Sequence, residues 1–279
     1  MKVVAYNDDS VFDALQPEWN ELVERSIANT IFSTWEWQKH WWHAYHPGDL
    51  WVLAIRDEDN DDKLLGIASF FIAEEKKGRT LHFVGCEDVT DYLDLIIDAE
   101  KSEKAFACLV DYMAQHTDQY NRVVLCNIPQ ASPSLEQFVK ALQDCRYEVE
   151  VQQRDVCPVI TLGNSFDDYL EALDKKQRHE LRRKLRRAEG AQKMDVMKWY
   201  FVDESHDLDE QIEQLFDLMR TSQHEKAEFL EDQHHVTFFK HIIPAAQKAG
   251  WLNLAFLTMN DKPISAYLNF DYRNHILVY

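Results

Sequence analysis

One pattern occurs twice in the sequence and limits the fold more than any other. WVLAIR, a polar turn over Asp57 to Asp62, LLGIASFFIAEE, the turn KKGR and LHFVG make three extended runs in succession. Later, LNLAFLTM, the turn Asn260 to Lys262, ISAYLNFDY, the turn at Arg273 and Asn274, and HILVY repeat the arrangement. Turns this short join neighbouring strands running in opposite directions, so each stretch predicts an antiparallel meander. A strand and helical patterns precede each copy. In the first half these are Lys2 to Tyr6, then Asp13 to Ala28 with its period through Leu15, Trp19, Leu22 and Val23, then IFSTWEWQKHWWHAYHP. Clustered rings prefer burial, so Phe32, Trp35, Trp37, Trp41, Trp42 and Tyr45 predict a core. In the second half the run is Val196 to Val202, Asp207 to Ser222 and Val236 to Lys248. Past the first meander the pattern predicts helices over 105–115 and 134–143 and strands over 123–127, 147–151 and 159–162. The order is β-α-α-β-β-β-α-β-α-β-β, seen once in full and then again as far as Tyr279.

A chain of 279 residues with 46% apolar content can bury two ordinary cores without staples. The expected division is a first domain over 1–163, a connecting helix over 164–190 and a second domain over 191–279. Cys86, Cys108, Cys126, Cys145 and Cys157 form an odd set with no CxxC pair. Thiols within apolar runs serve as small hydrophobes, which predicts unpaired cysteines and a reducing compartment. MKVVAYNDDS lacks the apolar stretch of a signal peptide, and no run of eighteen apolar residues occurs, so a soluble cytoplasmic protein is expected.

The connecting stretch SFDDYLEALDKKQRHELRRKLRRAEG stands apart in charge. Ser165 with Asp168 has the form of a capping box, and Gly190 suits a left-handed stop, which together predict one helix. Leu170, Leu173, Leu181, Leu185 and Ala188 make a narrow apolar stripe. Lys175, Lys176, Arg178, Arg182, Arg183, Lys184, Arg186 and Arg187 crowd the flanks, with Glu180 among them. Without these nine residues the chain retains 22 basic residues against 48 acids. That excess argues against general affinity for nucleic acid or anionic membrane. A single basic ridge would capture a specific anion, dock on the chain's own acids or face water.

Several chemistries are excluded: GxGxxG, P-loop, HExxH, GxSxG and CxxC are all absent from the sequence. Asp91, Tyr92 and Asp94 fall between a strand and a helix, where carboxylates would hold an amine or take its proton, or would cap the helix. Spacing of that kind does not specify a metal, and no metal site is expected. His224 and Glu225 are candidate general bases, and Tyr267 is a candidate acid for a leaving thiolate; Tyr272 and Tyr279 share its strand context. The alternative for each tyrosine is an ordinary place in the sheet. The pair His234-His235 reads as solvated loop histidines.

Particular residues resemble a known family. Phe32, Thr34, Glu36, Trp37 and Trp41, then Asp91, Tyr92 and Asp94, Asn127-Ile128-Pro129, Cys157-Pro158, and Tyr169, Leu173, Lys176, Arg178, Glu180, Leu181, Arg182, Arg183 and Leu185 resemble the CelD/BcsL group of GNAT-like acetyltransferases. The FemABX aminoacyl-transferases are more distant cousins. The resemblance implies an α/β (α+β) protein of tandem GNAT-like folds joined by the basic helix, the second incomplete within these residues. It also implies transfer of an acyl group from acetyl-coenzyme A or another acyl-coenzyme A to a small amine or amino sugar. Trp37, Asp91, Tyr92, Asp94, Lys176, Arg178, Arg182 and Arg183 would then bind substrate, and His224, Glu225 and Tyr267 would serve catalysis. A FemABX-like donor would instead be tRNA, and a non-catalytic binding or scaffolding module is a third reading. Coenzyme A pyrophosphate needs a cradle of backbone N–H groups between the fourth strand and the next helix. In the first half that place is Gly85 to Asp91, where three carboxylates would repel it. In the second half it would follow Tyr279. Taken alone, these residues are expected to close no coenzyme A site and to self-associate through residues 275–279.

Overall fold

In the computed structural model, which describes residues 1–86 and 89–279, the chain is mixed α/β with two sheets and divides into two compact units. Unit 1 holds residues 1–155 and also 237–242; unit 2 holds 156–236 and 243–279.

Unit 1 contains β1 (Lys2–Tyr6), α1 (Ser10–Arg25), α2 (Trp35–Tyr45), β2 (Asp49–Asp57), β3 (Lys63–Glu75), β4 (Gly78–Phe83), β5 (Ile96–Ile97), α3 (Ser102–Gln115), β6 (Arg122–Val123) and α4 (Gln137–Asp144). Its sheet runs β1-β2-β3-β4-β6, with β5 beside β3. Every step is antiparallel except β4 to β6. β3 is apolar at nearly every position because both faces of the sheet are covered. On one face Trp41 and Trp42 of α2 lie against Phe71, with ring centroids 5.8 and 6.2 Å apart. On the other, Trp51, Leu53, Phe70 and Ile72 join Phe106, Leu109 and Phe138 of α3 and α4 in one core.

The aromatic helix is buried as its rings predict. Thr34 caps α2 by accepting the Trp37 amide, and His46 ends it in the left-handed region at φ 39°. Trp37 is fully buried, edge-on to Phe32 at 4.8 Å and to Phe238 at 5.1 Å. One turn on, His40 stacks on His241 at 5.7 Å. Burial, then His241, His43 and Lys39, lower the His40 pKa from 6.5 to about 4. The unfolded chain therefore binds the extra proton first, and stability present above pH 6.5 is lost as pH falls toward 4. With solvent screening at a half-buried group, the loss is about 1–2 kcal/mol. Urea titrations from pH 7 to pH 4.5 check this: His40→Gln should flatten the slope, and an unchanged slope would assign it to other groups.

Three expectations for the first half are corrected. The strand over 123–127 shrinks to the two-residue β6, and residues 147–151 and 159–162 are extended but belong to no sheet. Their apolar alternation favours a strand, yet a ladder also needs an unpaired neighbour, and Val159, Ile160 and Leu162 stay 82%, 70% and 64% exposed. Cys86 and Cys126 form a disulfide, whereas Cys108, Cys145 and Cys157 are free. Titration of the denatured, unreduced chain should therefore find three thiols, and five would refute the pairing.

Unit 2 contains α5 (Phe166–Ala172), α6 (Lys175–Lys193), β7 (Met197–Phe201), α7 (Leu208–Ser222), α8 (His224–Phe229), the ends of α9 (Gln233–Lys248), β8 (Leu252–Met259), β9 (Lys262–Tyr272) and β10 (His275–Val278). The sheet is antiparallel in the order β10-β9-β8-β7. Leu254, Phe256, Leu268 and Phe270 alternate inward and are buried, as are Ile212, Leu215 and Phe216 of α7. The residues between them point to the opposite face, which is bare: Trp199, Phe201, Tyr267, Ile276 and Val278 are 50–72% exposed.

The predicted single basic helix is two helices. Ser165 accepts the Asp168 amide at 3.1 Å and starts α5 as expected. Leu173 is extended, and Asp174 accepts the Gln177 amide at 2.8 Å to start α6 afresh. Gly190 does not end α6, which runs on to Lys193 before Asp195 turns left-handed at φ 58°.

Candidate functional site

In unit 1 the parallel pair β4 and β6 is held only at Thr80 with Arg122 and Leu81 with Val123, after which the strands part. Among the ties across the gap are the Cys86–Cys126 disulfide, the Asn127 side-chain amide donating to the Thr90 carbonyl at 2.6 Å, and the Leu93 amide donating to the Asn127 carbonyl at 3.0 Å. Asn127 tolerates the φ of 62° that this geometry requires. Within the expected pyrophosphate place, Glu87 and Asp88 lie outside the described residues.

Four of the predicted substrate residues gather on this loop. Trp37 Nε1 donates to Thr90 Oγ1 at 3.1 Å, and Tyr92 lies 6.1 Å from the Phe32 ring. Asp91 keeps its carboxylate at the surface, though nearby protein excludes enough water to raise its pKa. Asp94 is buried and caps no helix. Its carboxylate accepts from the Ser132 hydroxyl, from the Ser134 hydroxyl at 2.6 Å and from the Leu95 amide at 2.8 Å. Desolvation outweighs those bonds and raises its pKa. Asp94 is therefore a positioning residue that ties loop 89–95 to the segment after Asn127. Ser132 and Ser134 were not singled out in the sequence; Ser-Pro-Ser at a turn was the available signal.

Asp94→Ala should cost about 2–3 kcal/mol, since Ser134 would be left buried and unpaired. Asp94→Asn should cost less and should remove a pH slope. A raised carboxyl pKa favours the protonated form, so its contribution is full below pH 3.8 and is lost as pH rises through the folded value. Thermal melts of both variants at pH 4 and pH 7 check the magnitude and the sign.

Lys176, Arg178, Arg182 and Arg183 all lie on α6, none of whose residues is buried. Among the described residues the helix makes one ion pair, Arg183 to Glu180 at 2.6 Å within α6 itself. Arg178 donates to the Leu173 carbonyl at 3.3 Å. The ridge thus forms no salt bridge with the chain's described acids outside α6, which leaves capture of an external anion or plain solvation.

The catalytic candidates are separate from one another among the described residues, with no hydrogen bond or ion pair joining them. His224 opens α8, 85% exposed and 3.1 Å from Glu228, with Glu225 exposed beside it. Tyr267 lies on the bare face of β9, opposite Ala255 and in one row with Phe201. Tyr272 is a sheet tyrosine edge-on to Trp251, and Tyr279 packs against Phe270. His235 is not a solvated loop residue: it is buried in α9, stacked on Phe229 at 3.9 Å. Among the described residues no group of three or more metal-ligating side chains occurs, and no helix is long and apolar enough to cross a membrane.

From α6 onward, unit 2 follows the strand and helix order of the meander fold up to its free edge. Residues 175–279 match the family model described as an acetyltransferase (GNAT) domain. No curated protein matches the chain. Among the described residues of the GNAT-type segment, β10 pairs with β9. The Tyr279 amide donates to the Leu268 carbonyl at 3.1 Å, so alternation turns the amides of Val278 and Ile276 away from β9. Outward amides on an edge strand suit the addition of an extended ligand backbone.

Proposed function

We propose that the chain is an N-acyltransferase that takes its acyl group from acyl-coenzyme A and delivers it to a small amine. The observation that carries this reading is the match of residues 175–279 to an acetyltransferase (GNAT) domain. The match supports acyl transfer in general, and the solvent-facing cations of α6 support a donor bearing phosphates. Acyl-coenzyme A would supply an activated thioester carbon. Ile276 and Val278 would meet the amides of the pantetheine arm through their outward backbone groups. Lys176, Arg178, Arg182 and Arg183 would hold phosphate oxygens, where arginine offers two parallel donors. His224 or Glu225 would take the proton from the attacking amine, and the Tyr267 hydroxyl would return one to the departing thiolate.

Isothermal titration with acetyl-coenzyme A checks the donor. With phosphates held by the cations of α6, the binding should weaken as salt rises. No heat at millimolar ligand would reject it. A second reading rests on α6 alone, whose solvent-facing cations suit an aminoacyl-tRNA donor. Binding of charged tRNA that falls steeply with salt would support that reading, and absent or salt-insensitive binding would remove it.

A further inference from the structure

At the seam between α2 and β3 in unit 1, three buried polar atoms have no hydrogen-bond partner among the described residues: Gln38 Oε1, Trp41 Nε1 and Ser69 Oγ. The three residues are only 2%, 3% and 5% exposed. Gln38 and Trp41 stand one turn apart on α2 and share a face. Ser69 is the one hydroxyl in the buried run 64–72 of β3, and it shares a face with Phe71, the ring on which Trp41 lies. Gln38 is tied to the same place from just past β4. Its Nε2 donates to the Val84 carbonyl at 3.1 Å, and the Val84 amide donates to the Ser69 carbonyl at 2.9 Å. A second bond from Nε2, to the Phe32 carbonyl at 2.9 Å, fixes the amide group. Turned over, it would aim its oxygen at two carbonyls, so no flip can pair Oε1. Gly85 approaches from the side, where a β-carbon would come within 3.3 Å of Gln38 Nε2 and 2.9 Å of a Leu93 methyl.

Unpaired polar atoms are rare in protein interiors, and these three form a complementary set: an acceptor, a donor and a hydroxyl that can be either. We propose that the seam is a binding site for one internal water, which donates to Gln38 Oε1, accepts from Trp41 Nε1 and bonds to the Ser69 hydroxyl. Three hydrogen bonds are the usual complement of a buried water. The residues named at the seam are uncharged, which suits a small neutral ligand, whereas an ion there would lose its hydration without a compensating charge. The water fixes the seat of α2 on the sheet, because a hydrogen-bonded bridge has one geometry where ring packing alone tolerates sliding. Since α2 also carries Trp37, whose Nε1 holds Thr90, the water is part of what positions loop 89–95.

Water-to-protein nuclear Overhauser spectra of the full chain test the site. The Trp41 indole proton should show a cross peak to water with the sign of a bound molecule. The Trp19 indole proton is an internal control and should show none, since it is buried and donates to the Ser33 carbonyl at 2.9 Å. Ser69→Val places a methyl group where the water would sit. It should abolish the Trp41 peak and lower the oxygen-17 relaxation dispersion by the amplitude of one long-lived water. Absence of the Trp41 peak in the wild type would overturn the proposal, and that spectrum decides alone if the variant does not fold. A peak that persists in Ser69→Val would overturn it as well. So would a peak lost without any change in the dispersion, which would mean relay through the Ser69 hydroxyl and no bound water.

Discussion

Trp37→Ala is expected to destabilise unit 1 by about 3–5 kcal/mol, the usual cost of deleting a fully buried indole. At that size the melting temperature of the unit should fall by roughly 10 °C. The indole fills the space between Phe32 and Phe238 and also holds Thr90 by its Nε1. Trp37→Phe separates the two contributions, because it keeps a ring and removes only the hydrogen bond, for about 1 kcal/mol beyond the volume change. Chemical denaturation followed by circular dichroism measures both. A loss below about 1 kcal/mol for the alanine variant would mean that the ring does not hold α2 to loop 89–95. Its resemblance to a family substrate residue would then have to rest on contact with ligand alone.

Replacing Arg182 and Arg183 together by alanine is expected to weaken binding of coenzyme A or inorganic pyrophosphate by roughly 100-fold, about tenfold for each charge-assisted hydrogen bond removed. Stability should move by no more than about 0.5 kcal/mol, since both side chains lie on a helix with no buried residue. Arginine-to-lysine substitution at the same positions should recover only part of the affinity, because an ammonium cannot form the two-pronged arrangement. Calorimetry with the two variants makes the comparison. Unchanged affinity in the alanine pair would take α6 out of anion binding and leave it a solvated ridge.

The two meanders were legible in the sequence because alternation and turn residues agree. Asn260, Asp261, Arg273 and Asn274 all take positive φ at the tight turns, as short hairpins require. The join between α5 and α6 was legible too, had Asp174 with Gln177 been weighed as a second capping box within an otherwise continuous helical pattern. Residues 147–151 and 159–162 show the limit of propensity, for a strand is a relation between two segments and their sequence describes one. The Cys86–Cys126 pair and the clasp of Asp94 by Ser132 and Ser134 join residues about 40 positions apart across a parallel step of the sheet. Local pattern carries no signal for such pairings. The site candidates divide in the same way: Trp37, Tyr92 and Asp94 acquire defined partners from tertiary packing, whereas His224, Glu225 and the α6 cations remain surface groups defined by sequence alone.

A sheet covered on both faces and a sheet covered on one should not open together. In unit 1 the amides of β2 and β3 are sealed between α2 on one side and α3 with α4 on the other. They can exchange with deuterium only when the whole unit unfolds. In unit 2 the ladders of β8, β9 and β10 meet solvent across Trp199, Phe201 and Tyr267, so local opening there costs less than global unfolding. Exchange rates along the chain should therefore fall into two classes. The GNAT-type segment would come apart and re-form many times during one lifetime of the first unit, which would stay folded throughout.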